Sequence, residues 1–310
     1  MSNGVGAAIP FGDLLSTAVE SSRSQILLGL DPDPANLWPD AAAAGDSASG
    51  SPEERAAVAV ADHCRRVIDA TAPSCFGVKL QLASFERLGA AGRVALGEAV
   101  SHAHNANLIV LADGKRGDIG ISATSYAASL LGETDTPWGT VAGLEADAVT
   151  VNPLLGAETV MPFIEVARER GRGVFMLART SNPGAADIQD RKLLEGETVS
   201  DSLAEMVGTL GTAGKSGIAD VGAVVGATVP GHLARLRDLM PHAPILLPGV
   251  GAQGGKVEDL APAWKPGRAG GLVTVSRSIV GAVAERGGTE AEAAAAAAEE
   301  LRETAWSLSA

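Results

Sequence analysis

The sequence predicts an α/β protein, a (β/α)8 TIM barrel, on three observations. Eight apolar runs of strand length recur along the chain, helical patterns separate most of them, and polar or charged residues gather where the runs end. The runs are apolar on both faces, as parallel strands covered by helices must be. Eight β–α units in 310 residues suit a closed barrel. A doubly wound open sheet would show the same periodicity, which alone does not separate the two.

In chain order, Phe11 to Arg23 reads as an extra N-terminal helix (11–24) that closes the bottom of the barrel. Ile26 to Asp31 is the first strand. Ala41 to Ser51 is rich in Ala, Gly, Ser and Asp and is expected to be a mobile surface loop. Ser51-Pro52-Glu53-Glu54 is a start signal for a helix running to Thr71. The following strands are Phe76 to Leu80, Leu108 to Asp113, Ala148 to Asn152, Val174 to Ala178, Ala223 to Gly226, Ile245 to Pro248 and Leu272 to Ser276. A helix is expected to begin near Asp118. The Ala-rich segment 289–308 is a strong helix former that packs outside the barrel. No linker divides the chain, so 1–310 reads as one domain.

Hydrophobic residues make up 46% of the chain and aromatics only 3%, so the core is built from Ala, Val, Leu and Ile. A net charge of −13 argues against a nucleic-acid surface, which needs a basic stripe. Cys64 and Cys75 show neither metal nor redox spacing and read as buried thiols, suiting a reducing compartment. There is no signal pattern and no apolar run of membrane-spanning length, so a soluble cytoplasmic protein is expected. His63, His102, His104, His232 and His242 lie in predicted helices or turns, which argues against histidine nucleophile schemes and a histidine metal site. Carboxylates remain available for Mg2+.

The polar interruptions carry the functional reading. Lys79 lies inside an apolar strand, where a lysine must find a partner or lose its charge. In a barrel its neighbours are Asp31 and Asp113. Asp113 and Lys115, two apart, share a face where the third strand ends. An array of Lys79, Asp113, Lys115 and Asp118 would keep both lysines protonated. An ammonium fixed beside a cavity is a proton donor. Gly249, Gly251, Gly254 and Gly255 form a loop whose N–H groups can approach an anion, and Arg277 stands at the next strand end. Loops after the last two strands commonly bind phosphate in this architecture.

Seven segments resemble one family, the orotidine 5′-phosphate decarboxylases, in its longer bacterial subgroup. They are Gly29-Leu30-Asp31-Pro32, Val78-Lys79-Leu80-Gln81, Ala112 to Gly120 (ADGKRGDIG), Val151-Asn152-Pro153, Ala178 to Pro183 (ARTSNP), Pro248 to Gln253 (PGVGAQ) and Ser276-Arg277-Ser278-Ile279. The resemblance implies a homodimer that converts orotidine 5′-monophosphate to UMP and CO2 without metal or organic cofactor. It implies that Lys115 donates the proton, with Asp113 and Lys79 beside it and Asp118 contributed across the dimer interface. It implies that Asp31 binds the ribose, Ser181 the pyrimidine, and Gln253 and Arg277 the phosphate. Asn152 and Gly251 carry over as substrate-binding residues. Ile121 intervenes where the family has Ser-Thr after Asp-Ile-Gly, so a hydroxyl contact would come from Ser122 or Thr124. Two rivals remain: an Mg2+-dependent aldolase or decarboxylase of sugar phosphates, and a catalytically silent phosphate-binding barrel.

Overall fold

The computed structural model describes residues 8–228, 230–251 and 253–309. Its strands are β1 (Ile26–Leu30), β2 (Gly77–Gln81), β3 (Ile109–Arg116), β4 (Glu133–Thr136), β5 (Gly139–Ala142), β6 (Ala148–Val151), β7 (Gly173–Arg179), β8 (Val221–Val225), β9 (Ile245–Pro248) and β10 (Gly271–Val275). Eight of them form a closed parallel barrel in the order β1-β10-β9-β8-β7-β6-β3-β2. The open-sheet alternative is thereby removed, because β1 pairs with both β2 and β10. The remaining two form an antiparallel hairpin.

The helices are α1 (Phe11–Ser22), α2 (Pro39–Ser47), α3 (Pro52–Thr71), α4 (Leu82–Glu86), α5 (Gly89–Asn105), α6 (Gly120–Leu131), α7 (Ala157–Glu169), α8 (Val199–Leu210), α9 (Pro230–Leu239), α10 (Arg277–Val280), α11 (Val283–Arg286) and α12 (Glu290–Leu308). The start signal before α3 is a formed capping box, Ser51 with Glu54. Alternate residues of each strand serve two cores. Leu28, Val78, Val110 and Val149 face the helical shell. Leu27, Leu111, Phe175 and Leu246 face the barrel interior.

The base of that interior is stoppered by α1. Phe11 meets Phe175 edge to face, centroids 6.1 Å apart at 86°. Two glycines make the space: a Cβ at Gly173 would stand 2.4 Å from the Phe11 ring, and one at Gly222 would stand 2.6 Å from the Phe175 ring. Three of the five phenylalanines, Phe11, Phe76 and Phe175, are spent on this closure. Cys64 and Cys75 are buried, and burial pushes both thiols up to about 12. No described helix is long and apolar enough to cross a membrane.

One expected segment is corrected. Of the loop expected over Ala41 to Ser51, residues 41–47 belong to α2 (Pro39–Ser47). Pro39 opens the helix, and Gly45 lies so close to α3 that an added Cβ would stand 2.8 Å from the Ala59 methyl. The small residues that suggested a loop are a close-packing surface. The hairpin β4–β5 carries no expectation from the sequence. The helix expected near Asp118 begins at Gly120.

Candidate active site

The charged residues at the strand ends meet at the barrel mouth. Lys79 of β2, 7% exposed, places Nζ 2.9 Å from Asp113 Oδ2 and 3.5 Å from Asp31 Oδ1. Lys115 Nζ lies 2.6 Å from Asp113 Oδ1. Asp113 therefore sits between two ammonium groups. Gln81 Nε2, 3.4 Å from Oδ2, is a further donor. Burial alone would raise the Asp113 carboxyl; the charges of Lys79 and Lys115 and their hydrogen bonds override it and hold it at about 2. For Lys79, burial opposes the charge, but Asp113 and Asp31 outweigh it and keep it above the ordinary lysine value. Asp113 is thereby held as a carboxylate and Lys79 as an ammonium.

The array forms one wall of a cavity of about 530 Å3. Val224 and Leu246 of the interior core line it too, with Ser181, Asn182, Gln253 and Arg277. The ion pairs of the array leave Arg277 without a carboxylate partner among the described residues. It is thus available to an anion. Of the residues singled out in the sequence, Asp31, Lys79, Asp113, Lys115, Ser181, Gln253 and Arg277 line this one cavity.

Four expected site residues do not line this cavity. Asp118 is half-buried on the loop before α6, where its Oδ1 accepts from the Ile119 N–H at 2.8 Å. Ser122 is exposed on α6, as is Thr124. Asn152 turns its side-chain oxygen to the Leu154 N–H at 3.1 Å, capping the short turn Pro153–Leu155. Gly251 shapes its loop with φ +75°. The expected backbone anion cradle is also corrected. The N–H groups of Gly251, Gly254 and Gly255 bond to carbonyls of the same loop, at 2.9, 2.8 and 3.0 Å. These bonds hold the turn, from which Gln253 lines the cavity; Arg277 reaches it separately, from the start of α10.

The sequence reading missed Thr150 and Thr274. The Thr150 hydroxyl donates to Asp113 Oδ1 at 2.8 Å. Thr274 lines the cavity, and its buried hydroxyl has no partner. The available signal was a hydroxyl inside an otherwise apolar run, Ala-Val-Thr-Val and Leu-Val-Thr-Val. None of the histidines lines the cavity, and no group of three or more metal-ligating side chains occurs among the described residues. Asp31 and Asp113, the carboxylates nearest to such a role, both lean on Lys79.

Comparison with known proteins points to one family. A family model described as Orotidine 5'-phosphate decarboxylase / HUMPS family matches residues 24–294. An orotidine 5'-phosphate decarboxylase from Rhodopirellula baltica is 43% identical over 275 residues, covering 87% of this chain and 88% of that protein. One from Deinococcus radiodurans is 46% identical over 238 residues, covering 76% and 82%. The solved structure of Leishmania donovani OMP decarboxylase is similar with a TM-score of 0.74 at 30% identity, covering 97% of this chain and 99% of that one.

Proposed function

The chain belongs to the orotidine 5′-phosphate decarboxylase family, and on that premise we propose how its pocket works. The reaction is decarboxylation of orotidine 5′-monophosphate to UMP and CO2. The observation that carries the mechanism is Asp113 held between Lys79 and Lys115 in the same cavity as Arg277.

Loss of CO2 leaves a carbanion on the pyrimidine ring with no conjugated sink for its charge. Stabilisation must come from charge already in position. Lys115 Nζ, fixed on Asp113, supplies it and then protonates the carbon. Asp113 stands against the substrate carboxylate and fixes the ammonium. Lys79 keeps Asp113 ionised and leans on Asp31, which takes the ribose hydroxyls. Ser181 contacts the pyrimidine. The phosphate dianion goes to Arg277 and Gln253, far from the breaking bond, where its binding energy helps to order the loops around the site.

The active unit in this proposal is a homodimer. Asp118 is off its own cavity, Lys115 is 42% exposed beside it, and apolar Ile119, Ile121, Leu154 and Leu155 are exposed on the same side of the mouth. A second copy covering that rim would bring Asp118 of the partner subunit to Lys115. The buried thiols fit a reducing, cytoplasmic setting.

The test is an optical assay for loss of orotidine 5′-monophosphate with the purified chain, with and without a chelator. Turnover unaffected by chelation is expected. No turnover, or turnover abolished by the chelator and restored by Mg2+, would favour the aldolase-like rival. A monomer at assay concentrations, with full activity, would remove the dimer from the mechanism.

A further inference from the structure

Where β3 passes β6 the strands fall out of step. Ala112 pairs with Val149 and Arg116 with Val151, so residues 113–115 of β3 stand against Thr150 alone. Such an irregularity redirects a side chain and takes backbone groups out of the ladder. Here Lys115 adopts the left-handed region, φ +46°, which is unfavourable for a residue with a Cβ. Its N–H is satisfied by the hydroxyl of Thr150 at 2.9 Å. That hydroxyl donates its own hydrogen to Asp113 Oδ1 at 2.8 Å, the oxygen that also takes Lys115 Nζ at 2.6 Å.

Thr150 is 1% exposed and does not line the cavity. Its neighbours on the strand, Val149 and Val151, face the helical shell, so Thr150 is the inward residue at this level. An apolar side chain there would fill the space equally well. Instead the hydroxyl uses its one donor on the carboxylate of the array and an acceptor site on the backbone that carries the ammonium. The two partners are the two ends of one charged pair. Their relative position is therefore set through a single atom.

We propose that Thr150 is a positioning residue for the decarboxylation, its hydroxyl clamping the Lys115 backbone and the Asp113 carboxylate so that the ammonium stays aimed at the carbon losing CO2. The proposal rests on the reading of the pocket given above. Thr150 touches no substrate atom. It acts through Lys115, so its loss falls on the chemical step and spares ground-state binding.

The test compares Thr150→Val, which keeps the shape and removes the hydroxyl, with Thr150→Ser, which keeps the hydroxyl. For the full chain, Val is expected to lower kcat by about 30- to 300-fold while KM moves less than about threefold. Ser is expected to stay within about threefold of the parent in both. The proposal is overturned if folded Val keeps the parent kcat, if its loss lies in KM, or if Ser is as impaired as Val. Should Val not fold, Thr150→Cys replaces it, because a thiol fills the site with a much weaker hydrogen-bonding group. Cys matching Ser in kcat would then sink the idea, and Cys falling well below Ser would support it. Absence of decarboxylation by the parent chain is a separate result, which removes the function and not the clamp geometry.

Discussion

At the base of the barrel, Phe11, Leu15 and Val19 of α1 pack with Leu27, Phe76, Phe175 and Leu272, each 2% exposed or less. At the mouth, Lys79, Asp113 and Arg179 are buried as well, beside Asp31, whose side chain is 42% exposed. Burial is similar at the two ends, but its consequences are opposite. Apolar groups at the base are non-directional partners, and their removal from water stabilises the fold. A charge at the mouth needs a particular partner at a particular atom, and losing one strands the other. Arg179 shows this, meeting Asp190 through two parallel hydrogen bonds of 3.0 and 2.9 Å. The barrel thus separates its stability from its chemistry along one axis, and each end can be altered to test that separation.

The largest effect is expected at the mouth. Lys115→Ala should lower turnover by about ten-thousand-fold or more while UMP binding, titrated calorimetrically, stays largely intact. Near-normal turnover would contradict the proton-donor role. At the base, Phe11→Ala should lower stability by about 3–5 kcal/mol, read as a shift in the denaturant midpoint. The kcat of the still-folded protein should hardly change. If it falls in step with stability, the two ends are not independent.

The far side of the cavity should respond in a third way. Arg277→Ala is expected to raise KM by about 10- to 100-fold, the scale of a charge-assisted contact, with a smaller change in kcat. A substrate lacking the phosphate should be a poor one for the parent chain, with little further loss in the variant. An equal penalty in both would show that Arg277 does not meet the phosphate.

The smallest expected effect sharpens where acid sensitivity comes from. Asp113 is held at about 2, so its stabilisation is present above the ordinary carboxylate value and is lost only as pH falls through about 2. Between pH 7 and 5 Asp113 therefore adds no slope. His63 behaves differently: burial lowers it to about 4, and its Nδ1 accepts from the Trp38 N–H at 3.1 Å. The unfolded chain takes up that proton near the ordinary imidazole value, and the folded chain does so only near 4. Stability should therefore drop by about 2 kcal/mol from pH 7 to 5, and His63→Gln should flatten the slope. An unchanged slope would assign the acid sensitivity elsewhere.

Most of the barrel was legible because its strands are buried on both faces and leave unbroken apolar runs, such as Ile26 to Leu30. The hairpin β4–β5 was not, since both its faces meet solvent and no hydrophobic period is imposed; Trp138 at its turn is 92% exposed. The α2 segment was misread because Ala and Gly serve a loop and a close helix contact equally. Within the site, Lys79 was legible because a lysine in an apolar strand requires an explanation. Thr150 was not, because threonine is an ordinary strand former, and the lone hydroxyl in Ala-Val-Thr-Val is a weak signal that does not say which partner it meets. Asn152 and Gly251 were carried over as ligand contacts, whereas locally one caps a turn and the other makes one.

The stopper at the base also bears on how the chain is made. α1 leaves the ribosome long before Phe175, Ile218 and Leu272, which form part of its seat. β1 likewise waits for β10 before its second edge is covered. Through most of synthesis the nascent chain therefore carries an uncovered greasy helix and an open strand edge, both invitations to self-association. Final closure is a late, long-range event.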